Sequence, residues 1–470
     1  MGKNTGFLQF DSMSGISFFS MVKTVFRLSV PAIMAQITST AMQYIDSAMV
    51  GSLGAEASAS IGLVSTTTWL INGLCIAAAT GFSVQVAQLV GGGRDEDARS
   101  VFRQSLIIAV CIGLILAGAA VSISGSLPSW LGGAEEIRLD ASRYFFIYAC
   151  ALPFSQLRQL SGSMLQSCGD MKTPSILNIM LCVFDIIFNS IFIFPSREIV
   201  VGALTFTIPG AGLGVSGAAL GTALAEVCTA SLMLAAACLR SPKLAFKHGG
   251  KWKIRLHCIK TAMKISIPAA FEHAVMCGAY IASTRIVAPL GTVSVAANSL
   301  AVTAESFCYM PGYGISAAAT TLVGQSIGAG RQDLAKRFAR TSVILGIVIM
   351  SCTGAIMFCA APWMFSLLTP SKEVRSLGAN LLRIESFAEP LYAASIVCAG
   401  ALRGAGDALV PSLLNLASMW GVRISSSILL VPHFGLYGVW FAMAGELCFR
   451  GIVFLIRLLR GKWLDKSILV

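Results

Sequence analysis

The sequence predicts an all-α integral membrane protein with twelve transmembrane helices, arranged as two six-helix lobes related by a parallel internal repeat. Three observations support this fold class. Of the 470 residues, 56% are apolar and only 12% are charged, about half the roughly 25% of charged residues in soluble domains. Long apolar stretches recur along the whole chain, and the second half repeats the first. This composition excludes an ordinary soluble enzyme, and it excludes a disordered chain, which requires low hydrophobicity.

Twelve apolar stretches are long enough to cross a hydrocarbon core of roughly 30 Å as helices. They lie at residues 24–49, 57–90, 100–124, 139–167, 173–195, 212–239, 260–288, 294–326, 338–361, 376–402, 410–432 and 436–459. Most of the 34 Lys and Arg residues fall at the termini and in the even-numbered loops. Because cytoplasmic loops are enriched in Lys and Arg, we expect a multi-pass protein of the inner (plasma) membrane with both termini in the cytoplasm.

The net charge of +12 is explained mainly by this topology. No basic run carries the aromatic interleaving or the fold signature of a nucleic-acid-binding protein. We therefore expect membrane lipid as a partner and no nucleic acid.

The chain contains an internal duplication. A shift of 237 residues aligns its halves without a gap from residue 31 to residue 178, and places Pro31 on Pro268 and Gln88 on Gln325. Each copy holds six spans, an even number, so both copies enter the membrane in the same orientation. Parallel repeats of this kind occur in secondary transporters.

The repeat also predicts the domain boundaries. We expect an N-terminal lobe at residues 1–240, a basic cytoplasmic connector at 241–260 and a C-terminal lobe at 261–470. About 16 additional residues near 197–209 in the first lobe predict an outer hairpin. Since the repeat already supplies two lobes, a monomer is sufficient.

Motifs for enzymatic chemistry are missing from the sequence. There is no Walker A motif, so ATP does not power the protein directly. The 14 Cys residues are scattered without a CxxC pair, and the 4 His residues have no zinc-binding spacing. We expect no enzyme activity and no cofactor.

Polar residues inside a span are costly and are therefore candidates for function. The first span carries four of them within a stripe about 80° wide on a helix: Gln36, Ser39, Gln43 and Asp46. Such a stripe has to face protein or water rather than lipid.

The fifth span carries a second stripe, about 60° wide, composed of Asn178, Cys182, Asp185 and Asn189. If the two stripes converge, Asp46 and Asp185 with their amide neighbours form a site for H⁺ or Na⁺, because oxygen-rich groups suit hard cations. The alternative is a buried polar network that only stiffens the lobe.

The second lobe has acids of its own, set among Met, Tyr and Phe. These residues are Glu272 and Met276 in the seventh span, Asn298, Glu305, Tyr309, Gly312 and Ser316 in the eighth, and Glu389 and Tyr392 in the tenth. An organic cation requires charge neutralisation and aromatic faces, which this combination offers. The alternative is that the glutamates pair internally with Arg285 or Arg423.

Other charges indicate structural roles. Glu446 and Arg450 are one turn apart, and a local ion pair explains them. Glu226 lies at roughly the corresponding place in the first lobe. Arg403 and Asp407 are expected to cap a cytoplasmic helix end.

Several motifs in a fixed order give the chain a family resemblance. They are Pro31 followed by Asp46-Ser-Ala-Met-Val-Gly-Ser-Leu-Gly54, then Gly324-Gln-Ser-Ile-Gly-Ala-Gly330, Gly400-Ala-Leu-Arg-Gly-Ala-Gly-Asp407, Trp420-Gly-Val-Arg423 and Gly461-Lys-Trp463. With these motifs the sequence resembles the multidrug and toxic compound extrusion (MATE) family, and is most similar to its bacterial, DNA-damage-inducible type.

This resemblance implies two six-helix lobes around a central cavity, and export of amphipathic organic cations driven by inward H⁺ or Na⁺. A key aspartate of the first span matches Asp46. The family's Asn-x-x-x-Asp pattern in the fifth span is reversed here, as Asp185-Ile-Ile-Phe-Asn189. In the sodium-coupled branch, the seventh-span glutamate aligns with Met276 and the tenth-span aspartate with Tyr392. Glu272 and Glu389 lie one turn earlier on similar faces and are the alternative acids for these two positions.

We therefore assign cation coupling to Asp46, Asp185, Asn189, Gln43 and Asn178. The expected substrate cavity comprises Gln36, Glu272, Met276, Glu305, Tyr309, Glu389 and Tyr392. Pro31 lacks an N–H and is expected to let the first span bend as the two lobes rock. The alternative function is a lipid-linked precursor flippase of related fold, for which a basic cavity is expected.

Overall fold

The computed structural model describes residues 17–201, 204–246, 252, 255–466 and 468. In the first half, the helices are α1 (Phe18–Gly51), α2 (Ala55–Gly91), α3 (Asp95–Ile123), the short α4 (Leu127–Trp130), α5 (Glu135–Ser167), α6 (Lys172–Phe192) and α7 (Gly214–Ala235), which continues as a π-helical turn at Ala236–Arg240. A hairpin of β1 (Pro195–Val201) and β2 (Leu204–Ala211) stands between α6 and α7.

The second half repeats this order. It contains α8 (Leu256–Val287) with a 3₁₀ turn at Ala288–Leu290, α9 (Thr292–Gly328), α10 (Gln332–Leu368), α11 (Lys372–Ser386), α12 (Glu389–Gly404), α13 (Leu409–Leu416), a π-helical segment at Ala417–Ile424, α14 (Ser425–Phe434) and α15 (Leu436–Leu459).

The twelve expected spans coincide with these helices, so the predicted all-α membrane fold is confirmed. Nine of the helical segments in the described ranges are long and apolar enough to cross a membrane. The other spans are α5, α9 and the pair α11–α12. Helices α5 and α9 carry many of the polar residues that line the cavities described below, which lowers their hydropathy. Helices α11 and α12 are each too short to cross a membrane alone, at 15 and 16 residues.

The tenth span is broken, whereas the sequence predicts one continuous helix. It is interrupted after Ser386, and α12 restarts with Glu389 and Pro390 in its first turn. Proline disfavours helical geometry in the residue before it and cannot donate a backbone hydrogen bond. Its repeat partner Pro153 nevertheless lies inside the continuous helix α5.

The expected outer hairpin is present. Strands β1 and β2 pair antiparallel, with Arg197 opposite Ile208 and Val201 opposite Leu204. Positions 202–203 lie outside the described residues. Of the expected cytoplasmic connector at 241–260, positions 247–251, 253 and 254 are not described, and α8 already begins within it at Leu256.

The two halves meet along the pairs α1–α9 and α2–α8. Close to the turns that follow α2 and α9, the contact is between backbones: a Cβ placed on Gly91 would meet the backbone of Gln325, and one on Gly328 would meet the backbone of Gln88. These four residues are repeat partners, so each half contributes the same pair and the interface is self-complementary.

Toward the opposite end, the halves meet through aromatic side chains. The Tyr44 and Phe307 rings stack with centroids 5.2 Å apart. The Trp69 and Tyr280 rings meet edge to face at 5.3 Å. The two halves therefore pack backbone against backbone at one end of the interface, and through aromatic side chains at the other end.

We expect Gly328→Val to destabilise the protein. The new side chain would be driven into the Gln88 carbonyl of the other half, and overpacking of this kind costs about 1–3 kcal/mol. The melting temperature of the detergent-purified chain measures the effect. Gly118→Val is the matched control, because no atom lies within 4 Å of a Cβ placed at Gly118. Equal melting temperatures for the two variants would contradict the close backbone contact.

Candidate cation and substrate sites

The polar stripes of α1 and α6 converge. The Asn189 Nδ2 donates a hydrogen bond to Asp46 Oδ1 at 3.1 Å and another to Asp185 Oδ2 at 2.9 Å. Asp185 is 0% and Asn189 1% exposed. A side chain at position 221 on α7 would overlap the Asn189 amide, so Gly221 makes room for this cluster.

This cluster borders a cavity of about 390 Å³, the aspartate cavity, whose polar lining comprises Gln43, Asp46, Ser47, Ser58, Ser65, Tyr144, Asn189 and Thr222. Asp185 lies behind this lining. Asp185 Oδ1 and Asn189 Oδ1 have no hydrogen-bond partner in the described part of the chain. A lining of carboxylate, amide and hydroxyl oxygens suits a hard cation or a proton.

Two other residues of the first lobe that the sequence analysis assigned to function, Asn178 and Pro31, do not lie at the Asp46 cluster. Asn178 is two turns from Asp185, and its Oδ1 accepts a hydrogen bond from Arg158 Nη1 at 3.1 Å, so it is not brought to Asp46. Pro31 lies inside α1, which continues through it as a helix. Gln43 lines the aspartate cavity as expected.

The first lobe has a second cavity of about 450 Å³. Six carboxamide side chains line it: Gln36, Gln43, Asn72, Gln159, Gln166 and Asn178. Its lining also includes Trp69, Tyr148, Arg158 and Glu226. We call it the amide cavity. Arg158 and Glu226 form a two-pronged ion pair in its wall, with Nε to Oε2 at 2.6 Å and Nη2 to Oε1 at 3.0 Å. Gln36, expected beside the glutamates of the second lobe, lies here.

The sequence interpretation missed Arg158 altogether. One signal was available. An arginine and an acid within membrane spans are expected to pair with each other, because unpaired buried charges are costly. Arg158 in the fourth span and Glu226 in the sixth had no other assigned partners. The sequence could not supply the helix rotations that bring the two together.

The second lobe has a cavity of about 390 Å³ that we call the glutamate cavity. Its lining includes Tyr280, Ser283, Asn298, Glu305, Tyr309, Tyr392, Arg423 and Trp440. Glu305, Tyr309 and Tyr392 are thus brought together as predicted, and the rings of Tyr309 and Tyr392 lie 5.6 Å apart. Glu305 is 6% exposed, and its carboxylate makes no hydrogen bond or ion pair with the described residues.

Glu272 does not present a free carboxylate, contrary to expectation. It accepts hydrogen bonds from Arg403 Nη2 at 2.7 Å, Asn415 Nδ2 at 2.6 Å and Ser412 Oγ at 2.9 Å. The glutamate is therefore fully paired, and its partner is Arg403 rather than Arg285 or Arg423. Met276 lines neither the amide cavity nor the glutamate cavity.

The expected helix cap of Arg403 and Asp407 is also wrong. Arg403 reaches Glu272 on α8, and Asp407 accepts two hydrogen bonds from Arg457, from Nε at 3.2 Å and from Nη2 at 2.5 Å. Both side chains tie helices of the second lobe together. The predicted pair of Glu446 and Arg450 is confirmed at 3.1 Å.

Glu389 is fully buried at the start of α12 and is not part of the glutamate cavity. Neither its carboxylate oxygens nor those of Glu385 have a hydrogen-bond partner within the described ranges. Glu446 differs, because Arg423 Nη2 approaches it at 2.8 Å and Arg450 Nε at 3.1 Å. No group of three or more His, Cys, Asp or Glu side chains with metal-binding geometry occurs among the described residues.

Comparison with known proteins adds the following. The MatE family profile matches residues 31–191 and again residues 268–429, which is the spacing of the internal repeat. A Thermotoga maritima protein named Probable multidrug resistance protein NorM is 26% identical over 453 residues, covering 95% of this chain and 94% of the relative. A Pseudomonas aeruginosa protein of the same name is 26% identical over 452 residues, 92% of this chain and 88% of the relative.

Solved structures show the same fold. A MOP superfamily transporter from Pyrococcus furiosus superposes with a TM-score of 0.87 at 19% identity, over 95% of this chain and 97% of that chain. The bent form of a Vibrio cholerae MATE transporter superposes with a TM-score of 0.84 at 17% identity, over 94% and 97%. These likenesses support the two-lobe fold.

The ion pair in the amide cavity gives a stability prediction. Arg158→Met leaves Glu226 without its partner, and breaking a fully buried pair costs about 3–5 kcal/mol; the residual exposure of 14% and 15% reduces this cost. We expect a clear drop in melting temperature for Arg158→Met, and recovery of most of the loss when Glu226→Met is added. If the double variant melts no higher than Arg158→Met alone, the pair is not the origin of the loss.

Proposed function

The chain belongs to the MatE family, and we propose that it is a secondary active multidrug efflux transporter that exports amphipathic organic cations in antiport with H⁺ or Na⁺. The observation that carries this proposal is that each lobe has one cavity lined by an acid without an arginine or lysine partner among the described residues, Asp46 in one lobe and Glu305 in the other. Antiport requires two occupants that favour different states of the protein, and two separate acidic cavities provide for them.

The coupling ion binds at Asp46 in this proposal. Asp46 faces the aspartate cavity while Asp185 lies behind it, and Asn189 bridges both carboxylates. Two acids this close repel each other when both are ionised, so one H⁺ or Na⁺ stabilises the pair. Gln43 supplies a further oxygen to the cavity wall.

The organic cation binds in the glutamate cavity. The carboxylate of Glu305 has no partner among the described residues and can neutralise the ligand. The Tyr309 ring provides a π-face, and Tyr392 offers the face that the Arg450 guanidinium, 5.4 Å from its centroid, does not cover. Such contacts contribute about 0.5–2 kcal/mol each, and more when water is excluded. Arg423, which also lines this cavity, shares the single carboxylate of Glu446 with Arg450, so its charge is only partly neutralised.

Transport proceeds by rocking of a lobe at 1–240 against a lobe at 261–470, within a monomer of the inner membrane whose termini are cytoplasmic. The Lys and Arg distribution places the backbone-packed end of the interface on the cytoplasmic side. Bending of α1 at Pro31, which lacks a backbone donor, accommodates changes at Asp46.

The lipid-linked precursor flippase is less well supported. A pyrophosphate headgroup requires unpaired basic side chains in the cavity. Of the arginines that line the amide and glutamate cavities, Arg158 is paired with Glu226, and Arg423 contacts Glu446, which it shares with Arg450.

We expect Asp46→Asn to abolish gradient-driven transport. In liposomes containing the purified chain, uptake of ethidium would be followed under an imposed pH gradient and, separately, a Na⁺ gradient. The gradient that drives uptake in the unmodified protein identifies the coupling ion, and the variant should show no response to it because it lacks the titratable group. Glu136→Gln, an exposed acid at the start of α5, is the matched control. Full transport by Asp46→Asn would remove the ion site from Asp46.

We expect Glu305→Gln to weaken organic-cation binding roughly tenfold or more, because a buried cation loses its counter-charge. Equilibrium binding of tetraphenylphosphonium to the purified chain measures this directly. Asp46→Asn serves as the comparison, since it removes an acid from the other lobe. If Glu305→Gln binds tetraphenylphosphonium as tightly as the unmodified protein, the substrate site lies elsewhere.

A further inference from the structure

The amide cavity differs in chemistry from both acid-bearing cavities. Its six carboxamides, named above, lie on α1, α2, α5 and α6. Of these, only the Asn178 side chain forms a hydrogen bond with the described residues, to Arg158. Gln43 also lines the aspartate cavity. Four carboxamides are therefore free to bind a ligand in this cavity alone: Gln36, Asn72, Gln159 and Gln166. Each offers one acceptor oxygen and two donor hydrogens.

The charges of this cavity cancel within its own wall. Both oxygens of Glu226 are engaged by Arg158, so the lining has no unpaired carboxylate to neutralise a cation and no unpaired arginine to bind an anion. A charged ligand placed here would be desolvated without a counter-charge, which is costly. The lining therefore favours an uncharged ligand.

An aromatic platform completes the cavity. Trp69 lines the cavity and is 53% exposed, so part of its indole ring is available for contact with a ligand. The hydroxyls of Ser39, Ser155 and Ser163 add further hydrogen-bonding groups. The volume of about 450 Å³ lies within the usual range for small-molecule sites, about 300–1,000 Å³.

We propose that the amide cavity is a second binding site, whose ligand is an uncharged, polyhydroxylated molecule of the sugar or nucleoside class. Carboxamides match ligands that both donate and accept hydrogen bonds at several positions, and the indole face stacks against a sugar ring or a base. This ligand class is distinct from the organic cations proposed for the glutamate cavity. The protein thus separates two ligand chemistries into two cavities.

The test measures binding to the full-length chain in lipid nanodiscs, with radiolabelled maltose, uridine and tetraphenylphosphonium as probes in equilibrium dialysis. We expect maltose or uridine to bind, and the two probes distinguish a sugar site from a nucleoside site. In the double variant Asn72→Leu, Gln159→Leu, binding of that probe should weaken roughly tenfold or more, since two hydrogen-bonding partners are lost.

The cation arm provides the reciprocal control. The double variant should bind tetraphenylphosphonium as before, which also shows that it is folded, whereas Glu305→Gln should lose tetraphenylphosphonium and keep the neutral probe. If neither maltose nor uridine binds the unmodified protein at millimolar concentration, or if the double variant binds them unchanged, the inference is wrong. Failure of tetraphenylphosphonium alone would count against the cation proposal and leave this one standing.

Discussion

The cost of a charge in a membrane span organises this structure. Most buried charges of the described residues have a partner on another helix: Arg158 pairs with Glu226, and Arg403 with Glu272. Glu446 contacts Arg423 on a neighbouring segment and also Arg450, one turn along its own helix. A buried charge that loses its partner is strongly destabilising. A rotation of one helix that separated such a pair would leave both charges unpaired, so these pairs fix how the helices that carry them are rotated relative to each other. Some acids that the structure describes inside the spans then stand out, because they have no cationic partner. They include Asp46 and Asp185 in one lobe, and Glu305, Glu385 and Glu389 in the other.

The two lobes share one backbone fold because of the duplication, but the polar residues that line their cavities differ. Ser283 occupies in the second copy the position of Asp46, and it lines the glutamate cavity as Asp46 lines the aspartate cavity. The second lobe takes its cavity acid from α9 instead, at Glu305. Asn178 and Asn415 are also repeat partners. Asn178 borders the open amide cavity, whereas Asn415 is bonded to Glu272.

The sequence was sufficient for what depends on periodicity. The twelve spans follow from runs of apolar residues, and the two polar stripes from helical spacing. The repeat and the outer hairpin follow from comparing the two halves of the chain. From the sequence alone, the convergence of Asp46 with Asp185 and Asn189 was only a condition, which the structure meets. The pairing of charges was not accessible in this way, because a stripe defines a helix face and not the helix that the face meets. Glu272 was therefore assigned to a substrate cavity although Arg403, 131 positions away, neutralises it. Proline was equally ambiguous: Pro153 stays within a helix, and its repeat partner Pro390 follows a break.

The geometry also bears on how an ion site in one lobe can affect a ligand site in the other. Tyr44 lies two residues before Asp46 on α1, and Thr303 lies two residues before Glu305 on α9. The Tyr44 hydroxyl donates a hydrogen bond to the Thr303 carbonyl at 2.5 Å, and its ring stacks on Phe307. Coupling between sites requires an element with two arrangements whose balance both occupants shift. The contact of α1 with α9 is placed to be such an element, because a rocking motion that separates the lobes at this end has to break it. Asp46 lies on the same helix as one side of the contact, and Glu305 lies on the same helix as the other.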